Sequence, residues 1–210
     1  MLAIHDLPLF VLSGVLLNIC PGPDTLYVVS RGGAQGWPAG AVAALGIASG
    51  CVVHILAAAL GLSAVLAASA TAFSAVKWAG AAYLVYVGLG MLRARGSGAD
   101  SGRVLATASL RTVYLQGFLT NVLNPKVALF FLAFLPQFIV PEAPGKALSF
   151  LVLGAVFNTT GTLWCLLLAW TSARAGAAFA RRGRLGLWLT RSAGALFLAF
   201  GLRLALADRG

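Results

Sequence analysis

Charged residues are scarce in this chain of 210 residues. Only 10% of its residues are Asp, Glu, Lys or Arg, against 60% hydrophobic residues, whereas an average soluble domain is roughly 25% charged. Acidic residues are the scarcest, with 5 Asp and Glu against 15 Lys and Arg. This composition excludes an ordinary soluble domain, because too few polar side chains are available to cover a core. It also excludes intrinsic disorder, which requires low hydrophobicity.

Cysteine is equally scarce, and its spacing excludes the usual cysteine chemistry. Cys20, Cys51 and Cys165 all fall within apolar segments, and no pair has the C-x-x-C spacing of redox or zinc sites. We interpret them as small packing residues. A phosphate-binding P-loop is also missing from the sequence. The sequence therefore predicts no metal site and no cofactor.

The basic residues give a net charge of +10 and a pI near 10.6, which would ordinarily suggest nucleic acid. They lie in polar stretches that separate long apolar blocks, around 93–111 and 174–191. A nucleic-acid-binding protein would instead need one solvated basic face with aromatic residues for base stacking. The pattern is typical of an integral membrane protein, and no nucleic-acid partner is predicted.

Long apolar segments are what the sequence does contain. A helix that spans the hydrocarbon core needs about 20 mainly apolar residues, and six segments meet this requirement. They predict an all-α integral membrane protein with six transmembrane helices, of which the second and fourth are long enough to tilt or break. The predicted spans are Pro8–Val29, Ala39–Leu66, Ala72–Leu92, Val113–Phe138, Leu148–Trp170 and Leu187–Leu206.

Basic residues are concentrated in the odd-numbered loops. The first, third and fifth loops carry ten Arg residues, whereas the opposite side carries only Lys77, Lys146 and Arg209. Because loops rich in Lys and Arg stay in the cytoplasm, we predict a multi-pass protein of the cell inner membrane. Its basic loops are cytoplasmic and both termini are outside. Arg31 and Gln35 are assigned to the first loop, as candidates for an inner gate.

The chain also contains a weak internal repeat. Gly14 and Asn18 in the first predicted span match Gly117 and Asn121 in the fourth, each 103 positions later, and prolines follow in both halves. The alternative is chance similarity in a chain rich in Ala, Gly and Leu. If the repeat is genuine, each half contains three spans, and an odd number requires that the two halves insert in opposite orientations. Such inverted repeats with broken helices are typical of secondary transporters.

A second match supports the same division. Residues 77–86 in the third predicted span align with residues 191–200 in the sixth, with a basic residue and a Gly-Ala pair at the same spacing. We therefore predict two inverted three-helix repeats with helices 1 and 4 broken. The predicted organisation is a single transmembrane transporter domain over 1–210, with repeat 1 at about 8–92, a cytoplasmic loop at 93–111 and repeat 2 at about 112–207.

The first span is interrupted by Pro21, Gly22 and Pro23, and Asp24 follows directly. Proline removes a backbone donor and clashes with the preceding turn, and the carbonyls released must find partners in protein or in a water-filled cavity. Asp24 has two interpretations. It caps the second half-helix, or it carries a proton or holds a substrate amine, because an ionisable residue within a span is a functional candidate.

Asn124, Pro125 and Lys126 form the counterpart in the fourth span. An unpaired ammonium near the centre of a span is costly, and Asp24 is its natural partner. Such a pair could be exchanged for the carboxylate and amine of a substrate, or for a proton. The alternative is a static structural ion pair.

Neutral polar residues complete the candidate site for substrate or protons. Asn18 and Asn121 supply hydrogen-bonding groups beside the two breaks, and Asn158 belongs to a polar patch in the fifth span. His54 stands alone in the second span. A lone histidine is more often a packed or hydrogen-bonded residue than a proton carrier, and both interpretations stay open here.

These motifs together resemble the LysE/RhtB family of amino-acid exporters. The resemblance lies in Pro21-Gly22-Pro23-Asp24, followed by Gln35-Gly36, and in the runs 77–84 and 117–126. It covers almost the whole chain. It implies an inner-membrane secondary transporter, not an enzyme, that exports amino acids or close derivatives by proton antiport. Its partners would be an amino acid, protons and the lipid bilayer, and a homo-oligomer is left open.

Other functions are disfavoured by the same residues. A cation or metal-ion exporter or channel of a related fold would require several carboxylates or soft ligands within the spans, and only Asp24 is evident. An intramembrane enzyme would require converging His, Ser or carboxylate side chains. Nothing in the sequence selects one amino acid as the substrate.

Overall fold

The structure is a computed structural model that describes residues 4–62, 107–140 and 145–175, with isolated helical positions between 78 and 93 and between 191 and 202. The third and sixth predicted spans, and the repeat match between them, therefore lie outside the described residues apart from those positions. The α-helices of the described ranges are α1 (Leu7–Ile19), α2 (Pro23–Gln35), α3 (Trp37–Ala57), α4 (Leu110–Val122), α5 (Pro125–Leu129) and α6 (Lys146–Ala175).

Two predicted spans are bent pairs of helices. The bend is 52° between α1 and α2, and 44° between α4 and the segment Pro125–Phe138. Pro23 and Pro125 each occupy the first turn of the second half-helix, where the N–H that proline lacks would have no intrahelical partner anyway. The predicted breaks in the first and fourth spans are thus confirmed.

The other two described spans are continuous. Trp37–Gly61 and Lys146–Arg174 are each long and apolar enough to cross a membrane, and α3 ends in a π-helical turn at Ala58–Leu62. Counting each bent pair as one, the described part of the chain contains up to four candidate spans. The all-α membrane class predicted from composition is confirmed.

Helices α3 and α4 lie close together because glycines face the contact. A Cβ atom at Gly46 would lie 3.0 Å from Phe118 N, and one at Gly50 would lie 2.9 Å from Asn121 Cβ. A larger residue at either position would push the helices apart, so the small-residue packing expected in lipid is present. Since later residues of α3 meet later residues of α4, the two helices run parallel.

The two bent spans run antiparallel. Gln35, the last residue of α2, hydrogen-bonds to Ala108 just before α4, whereas His5 N donates to Phe138 O at the opposite end. The C-terminal end of α6 lies at the same end of the bundle as Gln35. A Cβ atom at Gly40, five residues after Gln35, would lie 2.8 Å from Ala169 Cβ. We call the end formed by residues 31–40, 107–114 and 169–175 the basic end. The opposite end is the aromatic end.

The first loop is far shorter than predicted. Helix α2 continues to Gln35 and α3 begins at Trp37, so only Gly36 lies between them, with φ at 81°. The assignment of Arg31 and Gln35 to a loop is therefore wrong. Both lie in α2, and Arg31 is only 4% exposed. The polar side chains of Arg31 and Gln35 are of the kind usually found in loops. This part of α2 nevertheless packs directly against α6, because Gly32 between them has no side chain.

Candidate functional site

The two breaks meet at a cavity of about 40 Å³ in the middle of the bundle. It lies between the packing clusters of the basic and aromatic ends. The lining includes predicted site residues from both bent spans and from α6, and His54, Pro21, Pro23 and Pro125 are outside it. The predicted residues in the lining are Asn18, Gly22, Asp24, Asn121, Asn124, Lys126 and Asn158.

Asp24 and Lys126 occupy equivalent positions in the two half-helices. Each is the second residue of its half-helix and follows a proline in the first position. A carboxylate is stabilised at a helix N-terminus, because the partial charge there is positive, whereas an ammonium is destabilised. Lys126 therefore needs partners outside its own helix.

Lys126 finds those partners at the end of α1. Its Nζ donates to Leu17 O and Cys20 O, both at 2.8 Å. Carbonyls in the last turn of a helix have no intrahelical partner, and they carry the negative end of the helix dipole. Lys126 thus satisfies the carbonyls that the first break releases. Gly22 lies beside the ammonium, and a Cβ atom there would be 3.5 Å from Nζ, an ordinary van der Waals contact.

Asp24 is hydrogen-bonded by a residue beside the break of the other bent span. Its Oδ2 accepts a hydrogen bond of 2.8 Å from Asn121 Nδ2. The other carboxylate oxygen, Oδ1, is buried and has no hydrogen-bond partner in the described structure, and the same is true of Asn121 Oδ1. The amide is oriented with nitrogen toward Asp24, since a carboxylate oxygen needs a donor. The cavity therefore has two unused buried acceptors.

The predicted ion pair between Asp24 and Lys126 is absent from the described structure. Each residue instead binds the break of the other span, Lys126 through two carbonyls of α1 and Asp24 through the amide of α4. The expected pairing of the two charges is thus not formed. The released carbonyls and the neighbouring amide offer nearer partners, which satisfy each charge without a direct contact.

Three asparagines fix the helices around the cavity. Asn124 caps α5 by accepting from Lys126 N at 3.0 Å. Asn18 Nδ2 donates to Thr160 Oγ1 at 3.2 Å and so joins α1 to α6. Asn158 Nδ2 donates to Ala48 O, also at 3.2 Å, and joins α6 to α3. In each case one atom of the side-chain amide is hydrogen-bonded within the protein.

His54 supports the second break from outside the cavity. Its Nε2 lies 3.0 Å from Asn121 O, near the end of α4. Its ring stacks on Phe131 with a centroid distance of 6.1 Å. These contacts agree with a packed and hydrogen-bonded histidine, and a role in carrying protons stays a prediction.

Aromatic side chains fill the space between the cavity and the aromatic end. Phe130 stacks on Phe157 with ring centroids 4.2 Å apart, and Phe10 meets Phe138 edge to face at 5.3 Å. The layer consists of Phe10, Phe130, Phe131, Phe134, Phe138, Phe150 and Phe157. Among the described residues, these rings lie between the cavity and the aromatic end.

A polar network joins α2 to α4 on the other side of the cavity. Arg31 donates to Gln35 Oε1 at 2.8 Å and to Gln116 Oε1 at 2.7 Å. Tyr27 OH donates to Val113 O at 2.8 Å. We call Tyr27, Arg31, Gln35 and Gln116 the α2–α4 network. Tyr27, Arg31 and Gln35 are spaced four residues apart, which places them on one face of a helix. This spacing is visible in the sequence and indicates that Arg31 and Gln35 continue the helix.

Other lining residues were not predicted as site residues. Cys51 and Cys165 are buried and free, in agreement with their interpretation as packing residues. The additional lining residues are Leu17, Thr25, Ile47, Cys51, Val127, Phe157, Gly161, Thr162 and Cys165.

The cavity has room for water but not for an amino acid. A water molecule needs roughly 10–15 Å³ of such space, so about 40 Å³ holds only a few. Pockets for small-molecule ligands are roughly 300–1,000 Å³. Loading a substrate therefore requires that the helices around the breaks move apart.

Two antiparallel broken spans whose breaks meet at buried charged groups are typical of membrane transporters. The sequence matches the model of the LysE type translocator family over residues 15–208. The chain belongs to this family, as its motifs indicated. No solved structure matches it significantly.

Its relatives cover nearly the whole chain. A protein of Pseudomonas aeruginosa, described as an uncharacterized membrane protein, is 37% identical over 98% of this chain and 97% of its own length. The homoserine/homoserine lactone efflux protein of Salmonella typhi is 30% identical over 94% of this chain and 95% of its own length.

Proposed function

We propose that this protein exports amino acids or close derivatives across the cell inner membrane in exchange for protons. The observation that carries the proposal is Asp24, a carboxylate at a helix break whose Oδ1 is buried beside a cavity without a protein partner. A relative over most of the chain is named as an efflux protein for homoserine and its lactone. That name supports an amino-acid substrate.

The exchange works because Asp24 binds one cation at a time. With a proton on the carboxylate, the attraction for a substrate ammonium is lost, and with an ammonium bound, protonation is opposed. Export follows when substrate binds from the cytoplasm and a proton replaces it from outside. The α2–α4 network and the aromatic layer close the two ends of the path in alternation.

The proposal extends to the architecture of the whole chain. We propose six spans in two inverted repeats, 8–92 and 112–207, within one domain. The antiparallel course of the two bent spans supports it, because corresponding helices of inverted repeats run in opposite directions. The reciprocal bonds between the breaks, from Lys126 to α1 and from Asn121 to Asp24, support the same relation.

The coupling role is tested by Asp24→Asn in membrane vesicles with an imposed pH gradient. We expect proton-driven efflux to be abolished with expression unchanged, because the amide is nearly isosteric but has no negative charge and takes up no proton. Asp6→Asn is the matched control, since Asp6 is exposed before α1. Normal transport by Asp24→Asn would contradict the coupling role.

The substrate is tested in cells with and without the protein, each loaded with a panel of dipeptides. Intracellular peptidases release single amino acids, and their concentrations are measured inside and outside. Accumulation of one or two amino acids outside the expressing cells would identify the substrate. Unchanged distribution of every amino acid would contradict an amino-acid exporter.

A further inference from the structure

We infer that Asn121 is the second half of the proton site, because its amide is placed to form a closed pair of hydrogen bonds with the protonated carboxyl group of Asp24. In this pair the proton sits on Asp24 Oδ1 and is donated to Asn121 Oδ1, while Asn121 Nδ2 keeps its bond to Asp24 Oδ2. The inference rests on the proposed function, which assigns the proton to Asp24 alone. Asn121 is then a positioning residue whose hydrogen bonds change when the proton binds.

The two unused acceptors belong to side chains that are already hydrogen-bonded to each other. Asn121 Nδ2 donates to Asp24 Oδ2 at 2.8 Å, and the atoms left without partners are the other oxygen of each group, Asp24 Oδ1 and Asn121 Oδ1. Each of these oxygens shares a carbon with an atom of that hydrogen bond. The terminal torsions of Asp and Asn are broad, so small rotations of the two groups bring the oxygens to face each other.

A single proton gives both oxygens a partner. While Asp24 is charged, two buried acceptors have no donor, which is unfavourable. A protonated carboxyl group has one O–H donor, and an amide oxygen is an acceptor. Protonation at Oδ1 therefore ties α2 to α4 with two hydrogen bonds in place of one, and the proton-loaded form holds the two breaks together more firmly.

The surroundings of Asn121 keep its amide beside the carboxyl group. Its backbone oxygen accepts from Asn124 N at 2.9 Å and lies 3.0 Å from His54 Nε2. A Cβ atom at Gly50 would lie 2.9 Å from Asn121 Cβ, so the side chain cannot shift toward α3. Asn121 is only 2% exposed. Rotation of the amide is therefore the movement that remains available to it.

Two other polar side chains of the cavity wall could interact with the same carboxyl group. The Asn124 amide lies close enough to stabilise the charged form of Asp24. Its oxygen already accepts from Lys126 N, and its nitrogen only donates, so it is a poor partner for an O–H group. The Thr25 hydroxyl also lines the cavity and can accept a hydrogen bond. Thr25 is therefore the rival partner that an experiment must separate from Asn121.

None of the titratable side chains around Asp24 hydrogen-bonds to it in the described ranges. Lys126 donates to two carbonyls of α1, and His54 lies against the backbone of Asn121. The proton on Asp24 is thus held by an amide and not by a second titratable group. The titratable side chains nearby are Cys51, His54, Lys126 and Cys165, with Cys20 beside Lys126 and Tyr27 one turn further along α2.

The inference is tested by infrared difference spectroscopy of the full-length protein in lipid, recorded as the pH is lowered. The chain has only 5 acidic residues and four asparagines, so few bands overlap. Asparagine is labelled with carbon-13 at the side-chain carbonyl. We expect the Asn121 carbonyl band to move to lower frequency as Asp24 is protonated, because its oxygen gains a hydrogen bond. Asp24→Asn should abolish this shift.

Two variants identify the partner of the proton. Asn121→Leu, which is similar in size, should move the carbonyl band of protonated Asp24 to higher frequency, because both hydrogen bonds are lost. Thr25→Val is the matched control, since it also removes a polar group from the cavity wall, and it should leave that band in place. If Thr25→Val moves the band and Asn121→Leu does not, the inference is overturned. If Asn121→Leu does not fold, the labelled band of the parent protein decides alone.

The spectra separate this inference from the proposed function. If Asp24 is protonated and the labelled asparagine band does not move, the role of Asn121 fails while Asp24 keeps its coupling role. If Asp24 takes up no proton over the pH range in which efflux operates, the proposed coupling fails and the inference fails with it. Neither reading depends on knowing which amino acid is transported, because the spectra are recorded without substrate.

Discussion

Lys126 shows how a charge within a membrane span is stabilised by backbone groups. Its position, second in a half-helix, is unfavourable for a cation because the helix dipole is positive there. Hydrogen bonds from its ammonium to the carbonyls of Leu17 and Cys20 offset this unfavourable interaction. Asp24 occupies the equivalent position with the favourable charge and retains an unused oxygen. One charge of the pair therefore holds the structure, and we assign the other to transport.

This division predicts different effects of the two substitutions on stability. Lys126→Met should lower the stability of the purified protein, because it leaves two carbonyls without partners at about 1–3 kcal/mol each. The measurement is thermal unfolding in detergent. Lys146→Met, at the start of α6, is the control and should unfold like the parent. A Lys126→Met protein as stable as the parent would contradict the structural role.

The residues of the site were largely predictable, but their contacts were not. Proline, a buried carboxylate and a buried ammonium stand out in an apolar sequence, because each is costly in lipid. The partner of each charge depends on groups about a hundred positions away, and a backbone carbonyl carries no signal in the sequence.

At the scale of elements, the α2–α4 network joins these two helices between the cavity and the basic end. Gln116 Oε1 accepts from Arg31 at 2.7 Å and lies 3.1 Å from the Tyr27 hydroxyl oxygen, so it is the central residue of the α2–α4 network. Cys165 lines the cavity and belongs to the packing cluster on this side. Its accessibility therefore reports whether this end is open.

We expect Gln116→Ala to increase labelling of Cys165 several-fold. The change removes the acceptor that holds α2 against α4, so the open state gains population. Labelling by a membrane-impermeant methanethiosulfonate is measured in a protein that retains only Cys165, on vesicles that present the basic end. Gln137→Ala is the control, because Gln137 lies toward the aromatic end and donates to Ala133 O. Equal labelling of Gln116→Ala and the parent would argue against a gate here.

Element boundaries were predicted well where composition changes sharply and poorly where a polar segment is buried. The breaks at Pro23 and Pro125 are local consequences of the missing N–H. The burial of Arg31 is not local, because it depends on Gln116 and on the close approach of α6 at Gly32.

At the scale of the whole molecule, the basic end carries Arg111 and Arg174, and Arg174 lies over the ring of Trp170 at 4.0 Å. A tryptophan with an arginine at the end of a span is typical of the membrane interface. The opposite end has Lys146 at the start of α6. This distribution supports a cytoplasmic basic end even after Arg31 is removed from the loop residues.

The orientation is tested with single cysteines in a cysteine-free protein. Arg209→Cys should react with an impermeant maleimide added to intact cells, because the C-terminus is expected outside. Ser101→Cys, in the predicted cytoplasmic loop, should react only after the membrane is permeabilised. The reverse pattern would overturn the orientation without affecting the fold.

The sequence by itself determined the membrane class, the positions of the breaks and the two buried charges, because composition and proline chemistry act on neighbouring residues. The tertiary structure decided that Lys126 binds carbonyls rather than Asp24, that Arg31 is buried, and that Asp24 keeps one oxygen without a partner. These outcomes depend on which helix ends meet when antiparallel segments pack. Such proximity between distant residues is a property of the assembled bundle.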